Sequence, residues 1–319
     1  MAKTSTMDIL TTTQKQNKKW RTLKRFFPVY LMALPGLIYL FINNYMPLPG
    51  LVLAFKNYNA RDGIWGSVWA GLSNFKYLFA TKDAFIITRN TIGYNLIFII
   101  MNMVCAIAVA IILSEITSKA KKFYQSVILL PHLISAVIIS YLVFAFLSTE
   151  NGFINSTILK SLGLEGVSWY TEKKYWPFIL TIVNIWKTVG YSCIIYLATI
   201  IGFDKGYYEA ASIDGATKWK QITKVTIPLL KPTIIMLTLM SIGRIFYSDF
   251  GLFYQVPRNT GALYSVTNTI DTYVYRGLLE LGDITMSAAA GVYQSIVGFI
   301  LVLSANLYIR RIDSDSALF

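Results

Sequence analysis

Few residues in this sequence could carry covalent or metal chemistry. The chain has a single histidine, His132, and two cysteines, Cys105 and Cys193, which lie far apart within apolar stretches. A catalytic triad, a histidine-based metal cluster or a disulfide framework needs several such groups in a recognisable pattern, and these three residues supply none. We therefore expect no catalytic residue and no metal site, and we interpret all three as packing residues.

Three charged side chains lie inside or beside otherwise apolar stretches: Lys187, Arg244 and Asp249. An ionisable group at the centre of a membrane helix costs about 2.5 to 3.5 kcal/mol on insertion scales, so each needs a compensating role. We expect them to line a solute pathway, or else to form ion pairs with each other or with a second subunit. Such charged groups, with nearby hydroxyl, amide and aromatic side chains at helical spacing, suit a polar, uncharged ligand. The residues assigned to this pathway are Asn95, Asn184, Lys187, Thr188, Tyr191, Arg244, Tyr247, Ser248 and Asp249.

A segment rich in small residues lies between two of the apolar stretches. Its first part favours a helix, Gly215 permits a left-handed turn, and a second short helix can follow. Pro228 has no backbone N–H and is predicted to end that second helix before the next apolar stretch. Such a hairpin has no nucleophile beside a base, but it suits docking on another protein, with Trp219 as an anchor. The residues assigned to docking are Glu209, Ala210, Ala211, Asp214, Gly215, Ala216, Trp219 and Pro228.

The same segment resembles the hallmark loop of binding-protein-dependent ABC importer permeases. That loop reads Glu-Ala-Ala, three residues, Gly, nine residues, an aliphatic residue, one residue, an aliphatic residue and Pro, and here Gly215, Val225, Ile227 and Pro228 meet every spacing. The stretches 184–187 and 248–254 also resemble the sugar and oligosaccharide branch of the family.

The resemblance implies a type I ABC importer permease fold in which the loop is a coupling helix. Its implied partners are two copies of a cytoplasmic ABC ATPase, a second homologous permease in a heterodimer, and an external substrate-binding lipoprotein. The sequence has no Gly-Lys-Ser or Gly-Lys-Thr phosphate-binding loop, so ATP and Mg would be bound by the ATPase and this chain would bind no cofactor.

The composition indicates that lipid surrounds these residues. The chain is 55% hydrophobic and 14% charged, and its mean hydropathy is +0.52, whereas soluble domains carry about 25% charged residues. The net charge of +13 comes from Lys and Arg clustered outside apolar stretches, which indicates membrane flanks and no nucleic-acid partner. We predict an all-α protein of six transmembrane helices. The predicted spans are Phe27–Met46, Phe85–Leu113, Phe123–Leu147, Trp176–Ile201, Pro232–Phe253 and Thr285–Ile309.

Lys and Arg are more frequent in alternate loops and in both tails, so both termini are predicted to be cytoplasmic in a bacterial plasma membrane. Arg244, Tyr247 and Ser248 would share one face of the fifth span, with Asp249 near its outer end. The predicted organisation is a flexible tail at 1–19, a permease domain at 20–309 with an outer loop at 47–84 and a cytoplasmic coupling loop at 202–231, and a tail at 310–319.

Other functions stay open on the sequence alone. The cargo of such a permease could be a peptide, an amino acid or a metal chelate in place of a sugar. An ion-driven secondary carrier would use the intramembrane charges as relay groups, but it leaves the coupling pattern unexplained. A membrane enzyme acting on lipid-linked sugars would need clustered acids or a metal site, which the sequence does not offer.

Overall fold

The structure is a computed structural model that describes residues 26–116 and 120–312. The predicted tail at 1–19, Lys119 and most of the predicted tail at 310–319 lie outside the described residues. By its internal contacts the chain divides into two compact units, one ending at Val52 and the other beginning at Leu53. The functional features described below all belong to the second unit.

Helices make up most of the described residues. They are α1 (Phe26–Phe55), α2 (Ser73–Ala80), α3 (Lys82–Glu115), α4 (Ala120–Leu133), α5 (Ala136–Leu147), α6 (Trp176–Ile201), α7 (Lys205–Ile213), α8 (Lys218–Ile242), α9 (Ile270–Leu279) and α10 (Ile284–Ile312). Shorter helical turns are Gly63–Gly66, Ile154–Leu159, Lys173–Tyr175, Gly251–Gln255, Gly261–Leu263 and Tyr264–Thr267. Two short strands, β1 (Lys56–Asn57) and β2 (Val68–Trp69), pair antiparallel with Lys56 opposite Trp69.

Within the described residues, five helical stretches are long and apolar enough to cross a membrane. They contain α1, α3, α6, α8 and α10, and they confirm the predicted first, second, fourth and sixth spans as continuous helices. α4 and α5 pass the same test only as a pair. The total reaches six if that pair forms one span.

The predicted third span, Phe123–Leu147, is wrong as a single straight helix. α4 and α5 meet at 96°. Pro131 lies in the last turn of α4, which it weakens because it contributes no N–H to the hydrogen-bond ladder. Ser135 then adopts an extended backbone, with ψ at 150°, and its hydroxyl accepts a hydrogen bond from Ile138 N as the N-cap of α5. The predicted span is therefore either broken or re-entrant.

The predicted fifth span, Pro232–Phe253, is displaced along the sequence. The helix runs from Lys218 to Ile242 and passes through Pro228, so the prediction that Pro228 ends a short helix is wrong. A π-helical turn, Ile222–Thr226, ends two residues before this proline, and such a turn changes the hydrogen-bond ladder close to the position where a proline has no N–H to contribute. Residues 243–249, which we call the unwound segment, then leave the helix.

α3 and α6 pack on each other more extensively than any other pair of helices in the second unit. α6 also lies directly against α4 at Gly190, where an added Cβ would collide with the backbone carbonyl of Ile128. Small residues permit this kind of close approach between membrane helices. Gly190 therefore sets the separation of α4 and α6.

We expect Gly190→Ala to destabilise the protein, because backbone atoms of α4 must move to make room. Overpacking of this kind costs about 1 to 3 kcal/mol and would lower the melting temperature by about 3 to 8 °C. Gly93→Ala on α3 is the matched control, since an added Cβ there meets nothing within 4 Å. Equal melting temperatures of the two variants in detergent would contradict the assigned packing.

Candidate functional site

The predicted docking segment forms a compact helical hairpin, Lys205–Thr226, which consists of α7, a glycine turn and the first turns of α8. Asp204 caps α7 by accepting a hydrogen bond from Gly206 N at 2.9 Å. At the other end of α7, Ala216 N donates to Ala211 O at 2.9 Å and Gly215 N donates to Ser212 O at 3.0 Å. This is the Schellman arrangement, which needs a left-handed residue at Gly215. Its φ of +73° confirms the predicted glycine turn.

Side chains brace the two helices of the hairpin against each other. Gln221 Nε2 donates to Ser212 Oγ at 2.9 Å and to Ala216 O at 3.3 Å. The hydroxyls of Tyr208 and Thr226 lie 3.1 Å apart and share a hydrogen bond. The sequence pattern gave no signal for these pairs, since they join positions without a helical repeat. They make the hairpin a rigid unit.

An ion pair ties the hairpin to the body of the second unit. Lys218 Nζ lies 2.9 Å from Glu115 Oε2, at the last residue of α3. Both side chains are well exposed, at 72% and 50%, and exposed pairs of this kind contribute about 0 to 1 kcal/mol. The pair therefore orients the hairpin more than it stabilises the fold.

The outer surface of the hairpin presents apolar side chains to solvent. Trp219 is 72% exposed, and Ile213, which the sequence analysis missed, is 86% exposed. Ile213 could have been noticed as an aliphatic residue just before a predicted turn. Glu209, Ala210, Asp214, Gly215 and Pro228 are exposed, whereas Ala211 and Ala216 are half-buried. Exposed aromatic and aliphatic side chains beside small residues suit insertion into a groove of a partner protein.

The predicted pathway residues lie on α3, α6 and the unwound segment. Asn95 is about 20 Å from one end of α3 and about 30 Å from the other, at a rise of about 1.5 Å per residue. Its Nδ2 donates to Ile245 O at 2.8 Å and to Tyr247 O at 3.1 Å. The unwound segment therefore lies beside the middle of α3, one of the helices long and apolar enough to cross a membrane.

Two other side chains, Gln294 and Asp271, also form hydrogen bonds with the unwound segment. Gln294 Nε2 on α10 donates to Phe246 O at 2.6 Å. Ser248 donates to Asp271 Oδ2 through both its N and its Oγ, each at 2.7 Å. Gln294 Nε2 also lies 3.1 Å from Asp271 Oδ1. Sequence analysis missed Gln294 and Asp271, because their partners are distant in sequence.

The structure pairs two of the intramembrane charges. Lys187 Nζ lies 2.9 Å from Asp249 Oδ2, and the side chains are 17% and 35% exposed. The other oxygen of Asp249 accepts a hydrogen bond from Leu252 N at 3.1 Å, at the start of the next helical turn. The ion pair, one of the alternatives that the sequence left open, thus joins α6 to the end of the unwound segment.

The remaining residues assigned on α6 differ in their surroundings. Asn184 is buried, at 7% exposure, and its carbonyl accepts a hydrogen bond from Thr188 Oγ1 at 2.7 Å. Thr188 in turn accepts one from Asn102 Nδ2 on α3 at 2.6 Å. Tyr191 is 53% exposed and stacks on His132, with 5.0 Å between the ring centroids.

Arg244 and Tyr247 point away from the packed core. Arg244 is exposed, and Tyr247 is 50% exposed. The prediction that Arg244, Tyr247 and Ser248 share a helix face is wrong, because α8 ends at Ile242 before any of them. Their positions come from turns in the unwound segment, in which Tyr247 N donates to Arg244 O at 2.9 Å.

No group of three or more His, Cys, Asp or Glu residues that could hold a metal ion occurs within residues 26–116 and 120–312. A cavity of about 710 Å³ lies behind the hairpin, and its polar lining includes Glu209, Ser212, Lys218 and Gln221. Of these groups, Gln221 and Ser212 are bonded to each other and Lys218 is paired with Glu115.

Comparisons with known proteins agree with this arrangement. A family model described as "Binding-protein-dependent transport system inner membrane component" matches residues 84–314. Protein LplB of Bacillus subtilis is 32% identical over 92% of each chain. The polygalacturonan/rhamnogalacturonan transport system permease protein YteP of the same species is 34% identical over 94% of each. A chain of a bacterial ABC transporter involved in the import of the acidic polysaccharide alginate superimposes with a TM-score of 0.84 and 33% identity, covering 93% of this chain and 99% of that one.

The matched region includes the hairpin, the unwound segment and the helices that carry them, and the likeness to the relatives covers nearly the whole length of each. The chain is therefore a multi-pass membrane protein that belongs to the family of inner membrane components of binding-protein-dependent transport systems.

Proposed function

We propose that this chain is one of two permease subunits of an ATP-driven importer that moves a sugar or oligosaccharide, delivered by an external binding protein, into the cytoplasm. The observation that carries this proposal is the rigid hairpin with its exposed Ile213 and Trp219, in a chain of this family. Relatives named for lactose, at 31% identity, and for polygalacturonan and rhamnogalacturonan support a carbohydrate cargo.

The hairpin is proposed to be the coupling element. Two copies of a cytoplasmic ATPase would bind ATP and Mg, and one would receive the hairpin in a surface groove. Because Gln221 and Tyr208 brace the hairpin and α8 continues from it without interruption, movement of the ATPase would reach α8 and the unwound segment directly. This chain makes and breaks no covalent bond in that scheme.

The unwound segment and α6 are proposed to line the pathway. Tyr191 and Tyr247 are exposed there and Lys187 is partly exposed, so rings could pack on sugar faces while polar groups bind hydroxyls. Asn95 and Ser248 would act by fixing the segment, since their side chains are engaged with backbone atoms and with Asp271.

The same proposal implies the orientation of the chain in the membrane and its partner subunits. Both termini would be cytoplasmic, with a permease domain at 20–309, an outer loop at 47–84 and a coupling loop at 202–231. A second, related permease would complete the pore. Purification of the intact complex from its native membrane, with identification of every subunit, tests this composition, and an active chain purified alone would refute it.

We expect Gly215→Val and Glu209→Lys to uncouple ATP hydrolysis from uptake. A β-branched residue is strained at the positive φ of Gly215, so the turn would distort, and the second change reverses a charge on the exposed surface of α7. Uptake by the reconstituted complex should fall at least about tenfold, with loss of the stimulation of ATPase activity by the binding protein.

Gly215→Asn is the matched control, because asparagine tolerates a left-handed backbone. This variant should keep most of the uptake. Normal uptake in both Gly215→Val and Glu209→Lys would defeat the coupling assignment, whereas failure of the subunits to assemble would be detected by their absence after purification.

The pathway assignment predicts a loss of transport when the Lys187–Asp249 ion pair is broken. Asp249→Asn leaves Lys187 partly buried without its counter-ion, which costs more than removing both charges. We expect a larger loss of uptake in Asp249→Asn than in the double variant Lys187→Met/Asp249→Asn, with binding-protein-stimulated ATPase activity as the second measurement. If the four single variants Lys187→Ala, Arg244→Ala, Tyr191→Ala and Asp249→Asn all show wild-type uptake, these residues do not line the solute pathway.

A further inference from the structure

Arg244 is a cation beside the middle of a candidate membrane span, and it has no ion-pair partner in the described part of the chain. Its backbone lies in the unwound segment, beside the middle of α3. The side chain is exposed, and no carboxylate of the described residues lies within ion-pair distance of it, since the ion pairs there are Lys187–Asp249 and Lys218–Glu115. An arginine in such a position is costly and calls for a compensating anion or a water-filled cavity.

Other arginines of the second unit with polar or aromatic neighbours differ from Arg244 in this respect. Arg89 donates to Asn90 Oδ1 at 2.9 Å and to Ser265 O at 2.8 Å. Arg258 lies over the ring of Phe144, at 4.1 Å from its centroid. Arg276 is buried, with Asn259 Oδ1 at 2.9 Å and the ring of Tyr264 at 4.1 Å. These three guanidinium groups are held by hydrogen bonds or ring contacts within the chain, whereas no such contact holds the guanidinium of Arg244 among the described residues.

The carboxylates around the unwound segment are already engaged by other groups. Lys187 and Asp249 form an ion pair at 2.9 Å, and the carboxylate of Asp271 accepts hydrogen bonds from Ser248 and Gln294. Arg244 is therefore left without an ion-pair partner among the described residues on the surface assigned to the pathway. A neutral sugar would pass this charge without balancing it, whereas a carboxylate would match the planar fork of the guanidinium with two parallel hydrogen bonds.

The backbone fixes Arg244 for such a role. Arg244 N donates to Ser241 O at 3.0 Å, and Arg244 O accepts from Tyr247 N at 2.9 Å. Asn95 holds the next residue, Ile245, through its carbonyl at 2.8 Å. The guanidinium thus extends from a braced turn next to the exposed ring of Tyr247, and a fixed cation beside an aromatic ring suits a saccharide that carries an acid group.

We infer that Arg244 is an anion-recognition residue of the pathway and that the cargo is an acidic oligosaccharide bearing carboxylates. This inference rests on the proposed function and narrows its substrate class from the uncharged ligand that the sequence suggested. Arg244 forms charge-assisted hydrogen bonds with a sugar carboxylate during passage, and Tyr247 packs on the ring beside it.

The test uses the complete transporter in proteoliposomes, with its binding protein at saturation and two probes of equal length. Trigalacturonate carries carboxylates, and its fully methyl-esterified form carries none. The variants are Arg244→Gln and Arg244→Lys, and Arg61→Gln is the control because Arg61 is exposed in the loop before α2, outside the candidate spans.

We expect Arg244→Gln to lower ATP-driven uptake of trigalacturonate at least about tenfold, the typical effect of losing a hydrogen bond between charged groups. Uptake of the methyl ester should change less than about twofold, and Arg244→Lys should retain intermediate uptake of trigalacturonate. Trigalacturonate should also raise the melting temperature of the wild-type complex more than that of Arg244→Gln, a measurement that does not depend on delivery by the binding protein.

Several results would overturn the inference. Three of them concern uptake: wild-type uptake of trigalacturonate by Arg244→Gln, an equal loss of uptake of both probes in that variant, and a wild-type complex that transports only the ester. Loss of the second permease when the Arg244→Gln complex is purified would indicate that a carboxylate of that partner is the counter-ion of Arg244. Dependence of the uptake defect on anionic lipid would indicate that the counter-ion is a lipid phosphate. ATP-driven uptake of neutral saccharides by wild type and Arg244→Gln alike would reject the inference and leave the proposed function standing. Absence of any ATP-dependent saccharide uptake by the wild-type complex would reject the proposed function itself.

Discussion

The structure depends on satisfying the backbone polar groups that are released where a helix breaks beside other candidate membrane spans. In lipid an unpaired N–H or C=O group costs several kcal/mol, so irregular backbone survives there only when it is bonded to protein or to water. The unwound segment after Ile242 meets this requirement through Asn95, Gln294 and Asp271, which lie on three different helices. These bonds hold α3, α9 and α10 around one break.

The same bonds decide which side chains remain available for solute. Because Asn95 and Gln294 hold the carbonyls of residues 245–247, the side chains of Arg244 and Tyr247 extend outward while Phe246 is buried at 1% exposure. Lys187 is drawn to Asp249 at the end of the segment. The same hydrogen bonds therefore hold the backbone of the unwound segment and expose the side chains proposed to line the pathway.

The hairpin and the unwound segment lie at the two ends of the same helix, α8. α8 begins inside the hairpin and ends at the break, and it contains a π-helical turn shortly before Pro228. A proline stop at this position would have separated the hairpin from the rest of α8 by a loop. With the helix unbroken, a displacement of Trp219 must move Ile242 as well, which gives the proposed coupling a mechanical route.

The sequence by itself determined the features that depend on neighbouring residues and on residue type. Apolar length predicted most of the spans, and Gly215 predicted the left-handed turn, because both properties are local. Only the tertiary structure decided that α4 and α5 meet at 96°, that α8 passes through Pro228, and that Asn95 donates hydrogen bonds to the backbone of the unwound segment. Asn95 and Ile245 lie 150 residues apart, as Lys187 and Asp249 lie 62 apart, and no local pattern encodes such pairings. They arise because buried polar groups must find partners wherever the packed helices bring them together.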